Sequence, residues 1–171
     1  LIDGYNALAL ASSKEIELGP IPVTTGLSRD RPGVEVLIPE PAQQVLGDPG
    51  LMRMMWRELS DSAVCFSRKT RSVQVSAEWM EESVMAIDLR IRDPGLEACE
   101  VARACLPIPN LMGNAHDPGM SMAVSCSAVE RMGGVLLVSN SPDGDLILRV
   151  EIPGSRSVPG SSSAASTAVF Q

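Results

Sequence analysis

Glu58, Ser62 and Cys65 follow one another at four- and three-residue steps, so a helix through this segment stacks a carboxylate, a hydroxyl and a thiol in one file. Three Asp-Pro-Gly turns surround that file, at 48–50, 93–95 and 117–119. Each combines a side-chain acceptor, a fixed φ and a permissive glycine, which is ordinary turn chemistry and also a way to bring backbone close to a ligand. The single histidine, His116, has no cysteine or carboxylate partner at metal-ligand spacing, which argues against zinc. Cys65, Cys99, Cys105 and Cys126 form no CxxC pair and read as reduced thiols, small buried hydrophobes of a cytosol-like, cytoplasmic compartment.

The elements that must hold these residues are legible from periodicity. Over 49–66 no proline follows the first turn, and Met52, Met55, Leu59, Ala63 and Phe66 recur at helical steps. Asp48 and Pro49 supply a cap and a first turn. The stripe packs, and the Glu58 file on the other side is free to meet a ligand. Residues 34–38, 73–77 and 84–91 read as strands, with 79–82 as the turn between the last two. From 93 to 118 prolines at 94, 107, 109 and 118 interrupt any periodicity, as in a lid or binding loop. Helical spacing returns over 119–132 and stops at Gly133-Gly134. Strands at 135–139 and 146–152 then flank Ser141-Pro142-Asp143-Gly144, a hairpin signal.

Upstream, Leu1, Tyr5, Leu8 and Ala9 lie on one helical stripe, a short extended piece follows at 15–18, and Pro20 and Pro22 stop regular structure. Beyond Pro153 the chain is rich in Ser, Gly and Ala and is expected to be disordered. The order predicts an α/β (α+β) two-layer sandwich, a mixed sheet of about five strands with about three helices on one face.

Composition sets outer bounds. The 171 residues are 44% hydrophobic and 20% charged, which is the range of one folded domain with tails. No apolar run is long enough to span a bilayer as a helix, and the first residues lack the basic leader and apolar centre of a signal peptide. A net charge of −7 with scattered basic residues argues against nucleic acid as a partner.

The element order, an Asp-x-Gly turn opening the long loop and a Gly-containing turn closing it resemble the catalytic ATP-binding domain of sensor histidine kinases. That domain has the Bergerat-type fold of the GHKL ATPases. The resemblance covers residues 15–153 and is densest in SAVERMGGVLLVSNSPDGDLILRVEIP. It implies that 1–14 end a preceding helix at a dimerisation-domain junction and that 154–171 form a tail.

The resemblance also implies roles. Glu58 stands where a catalytic carboxylate polarises a water or nucleophile. Ser62 stands where an Asn holds magnesium against the phosphates, so Glu58 and Ser62 form the implied metal shell. Asp93 would accept from the adenine amino group, with Gly95 letting the backbone pass the ring. Gly119 and Met120 would present the phosphates to a helix N-terminus. Three departures stand out: Cys65 where a cation is usual, Glu97 in place of a second glycine, and Gly119 alone of three glycines.

The reading that follows is a degenerate histidine-kinase-like domain of two-component-type signal transduction, a pseudokinase with weak or no catalysis acting through partner binding. Its ligands would be ATP or ADP with magnesium. Its protein partners would be a kinase dimerisation helix, a response regulator or a second copy in a homodimer. Two alternatives stand beside it: an active ATP-dependent kinase or ATPase with Glu58 as base, and a nucleotide-free scaffold in which Met120 and Met122 fill the pocket.

Overall fold

Alternation of buried and solvent-facing side chains builds a five-stranded sheet, described in a computed structural model for residues 16–39, 43–67, 72–81, 83–92, 94, 98–99, 101 and 118–154. The strands are β1 (Gly19–Pro22), β2 (Val34–Val36), β3 (Gln44–Gly47), β4 (Val73–Glu81), β5 (Val84–Ile91), β6 (Val135–Asn140) and β7 (Leu146–Pro153), and the helices are α1 (Pro49–Phe66) and α2 (Pro118–Arg131). The main sheet runs β2-β4-β5-β7-β6, with β2 parallel to β4 and every other pair antiparallel. Val75, Leu89 and Leu148 are register partners across three strands, and all are fully buried. That row and its neighbours are the floor on which the helices sit.

On the opposite face Arg149 donates from Nε and Nη2 to Asp88, each at 2.7 Å, across β7 and β5. These bonds hold the Arg149 guanidinium above its ordinary pKa, so it stays charged. This face is solvated, and the mixed α+β sandwich predicted from the sequence is the architecture observed.

The expected capping is present. Asp48 Oδ1 accepts from the N–H groups of Gly50 at 2.7 Å and Leu51 at 2.9 Å, and Pro49 occupies the first turn where its missing N–H costs nothing. At the end of α2, Gly133 takes a φ of 76° and the Gly134 N–H donates to Val129 O at 3.0 Å, so the chain reverses into β6.

Two expectations change. Pro20 and Pro22 do not stop regular structure: they lie in β1, which pairs antiparallel with β3 in a separate two-stranded sheet. An edge strand tolerates proline because half of its N–H groups have no ladder partner to lose. Of the turn placed at 79–82, residues 79–81 are strand, since β4 continues to Glu81 through an irregularity between Trp79 and Glu81. Two long helices are found among the described residues, with helical residues also at 98, 99 and 101, in keeping with about three helices. The helix end at 1–14, most of the 93–118 loop and the tail from 155 onward lie outside them.

Candidate functional site

α1 carries the file picked out in the sequence, and packing treats its members differently. Each residue turns the helix by about 100°. The buried arc includes Leu51, Met55, Leu59, Ser62, Ala63 and Phe66, because α1 packs against both β5 and α2. A helix covered from two directions buries more than one narrow stripe. Ser62 therefore belongs to the buried side and is 1% exposed, which corrects the expectation of an open face. Glu58, on the rim of that arc, is half-buried with 14% of its side chain exposed. Cys65 is exposed and so is Cys99, so neither is the small buried hydrophobe expected.

Two polar contacts decide what the file can do. Glu58 Oε1 accepts from Arg57 Nε at 2.8 Å and Nη2 at 2.6 Å, so the carboxylate is paired with its chain neighbour. Two N–H donors on Oε1 hold the Glu58 carboxylate toward Arg57 and away from another proton donor. Ser62 Oγ is buried and makes no hydrogen bond among the described residues. Buried hydroxyls are nearly always satisfied, so an orphan of this kind marks a place where an external donor, acceptor or ion belongs.

The other candidates surround α1. Asp93 and Gly95 lie outside the described residues, but their neighbours are anchored at the end of α1. Ser67, its C-cap, forms a β-bridge with Pro94, and Ser67 Oγ donates to Arg92 O at 3.4 Å. Gly119 and Met120 are half-buried in the first turn of α2, which packs along α1. Met122, one turn into the helix, is fully buried in the core. Arg92 and Pro94 thus sit at the C-terminal end of α1, the helix against which α2 packs.

The donor set suits a hard cation only in part. Among the described residues no group of three or more His, Cys, Asp or Glu side chains converges as a metal cage. One carboxylate and one orphan hydroxyl fit magnesium, which keeps most of its shell as water and phosphate oxygen. The sequence reading missed Arg57, whose side chain shields Glu58; adjacency in the chain was the available signal. No helix among the described residues is long and apolar enough to cross a membrane.

No protein-family model matches the sequence, and no curated protein matches it. Solved structures do match. The mycobacterial sensor histidine kinase MprB is 18% identical with a TM-score of 0.65, over 81% of this chain and 99% of that one. Full-length ShkA in complex with AMPPNP is 17% identical with a TM-score of 0.68, over 92% of this chain and 36% of that one. The ATP binding domain of PrrB from Mycobacterium tuberculosis is 20% identical with a TM-score of 0.61, over 82% and 99% of the two chains. At such identities the likeness is one of fold.

Proposed function

We propose that this chain, which has the fold of histidine-kinase catalytic domains, binds an adenine nucleotide with magnesium beside the Ser62 end of α1 and serves two-component-type signalling. It does so with weak or no phosphoryl transfer, acting through a partner such as a kinase dimerisation helix or a response regulator. One observation carries the reading: Ser62 Oγ is buried and unpartnered at the position where the resemblance puts a magnesium ligand. The nucleotide itself is suggested by structural neighbours, since the PrrB domain is an ATP binding domain and ShkA was solved with AMPPNP.

In this reading Asp93 accepts from the purine amino group and Gly95 gives the ring room. Ser62 and Glu58 hold the cation, with Gly119 and Met120 turned to the phosphates at the start of α2. Bound magnesium supplies charge neutralisation at the phosphates. The chain's own groups explain the weak catalysis. Glu58 is held by Arg57, and Cys65 brings no positive charge to the developing phosphoryl charge.

Titration calorimetry of the full chain with ATP and magnesium tests the proposal. A saturable heat is expected, abolished by Asp93→Asn and made magnesium-independent by Ser62→Ala. No heat at millimolar nucleotide with folded protein overturns it and leaves the scaffold reading, for which the fully buried Met122 speaks. Transfer of labelled phosphate from ATP that disappears in Glu58→Gln would instead establish an active kinase.

A further inference from the structure

On the side of α1 turned away from Ser62, a cleft of about 500 Å³ opens between the helix and the 24–31 segment. Arg31, Arg53 and Arg57 line it, with Ser28 and Trp56. The sequence sets two of these arginines one helical turn apart, so their side chains rise on the same face. Tertiary structure adds the third.

The walls are fixed. Trp56 Nε1 donates to Val23 O at 2.9 Å, which ties the start of the loop to the buried side of the helix. Gly26 has a φ of 88°, and a Cβ placed there would come within 2.7 Å of Arg53 Cα, so the loop backbone rests directly on the helix. The Arg31 guanidinium pairs with Asp61, which ties the far part of the segment to α1. A concavity held in place at three points does not need a ligand to form.

The guanidinium groups retain donors that this architecture does not use. Arg31 commits Nη2 to Asp61, and Arg57 commits Nε and Nη2 to Glu58. Each guanidinium has five N–H donors, so both keep an Nη1 group for another acceptor. Arg53 has no partner among the described residues. Three arginines around one cleft stand against a chain of net charge −7, and a concave wall concentrates that local positive field.

We propose that the Arg31–Arg53–Arg57 cleft is an anion-binding site, separate from the nucleotide site, for a small ligand bearing a phosphate monoester or carboxylate. Planar guanidinium forks match both oxyanions in a bidentate manner. The cleft volume suits a small molecule or terminal group rather than a flat macromolecular surface. The cleft adjoins the proposed nucleotide site through the Arg57–Glu58 pair, and the Asp93→Asn control below separates the two.

The chain has two tryptophans, and Trp56 lines the cleft while Trp79 lies on β4. The experiment titrates the full chain with inorganic phosphate and, separately, with succinate at constant ionic strength, following the two indole N–H resonances. A saturable shift of Trp56 alone is expected, with affinity reduced by about tenfold or more in Arg53→Gln and in Arg57→Gln. Arg57 is 61% exposed, so that variant folds even if Arg53→Gln disturbs the seat of Gly26. Tighter phosphate assigns a phosphate ester, and tighter succinate assigns a carboxylate. The proposal is overturned if the shift does not saturate, if both arginine variants retain wild-type affinity, or if Asp93→Asn abolishes it and so assigns it to the nucleotide pocket.

Discussion

Asp48 and Ser62 are both buried polar side chains at opposite ends of α1, 7% and 1% exposed. Folding treats them in opposite ways. Asp48 accepts two backbone N–H groups and starts the helix, whereas Ser62 Oγ satisfies nothing among the described residues. A buried hydroxyl without a partner lowers stability, so its presence points to a use outside folding. The comparison separates polar groups that the structure consumes from one that it leaves available.

The sharpest attempt to break this picture goes through the loop that α1 supports. Gly26→Ala places a Cβ against Arg53 Cα in a left-handed backbone conformation, and thermal or urea unfolding should show a loss of about 3 kcal/mol. Trp56→Phe removes the indole donor from Val23 O, and the same measurement should give a loss of about 2 kcal/mol. Asp48→Ala strips the cap from α1 and should cost about 1 kcal/mol, with increased amide exchange at Gly50 and Leu51.

Ser62→Ala is expected to move the other way, raising stability by about 0.5 kcal/mol by removing an unsatisfied hydroxyl. Should it destabilise as much as Asp48→Ala, Ser62 is a structural residue and its assignment as a ligand fails. Stabilisation together with weaker magnesium-dependent nucleotide binding would sharpen the contrast into a trade between folding and function.

Much of this was legible from residue types and spacing. The 49–66 helix, its Asp48 cap, the 84–91 strand, the hairpin at 141–144 and the Gly133-Gly134 stop are local features, and local chemistry decides them. The two-stranded β1–β3 sheet was not legible, because prolines at 20 and 22 read as breakers until a partner strand shows that their N–H groups are not needed. Arg31 was invisible as a member of the cleft for a similar reason. It reaches Arg53 and Arg57 only through the fold of the 24–31 segment.

The sequence by itself determined which residues share a file on α1, since 3.6 residues per turn stack Glu58 with Ser62 and Arg53 with Arg57. Only the tertiary structure decided which file meets water. α1 is covered by β5 on one side and α2 on another, so Ser62 is drawn into the dry interior while Arg53 and Arg57 remain on the wetted wall of a cleft. Helical periodicity fixes direction around the axis, but burial depends on what lies in that direction, and that is settled by contacts between segments far apart in the chain.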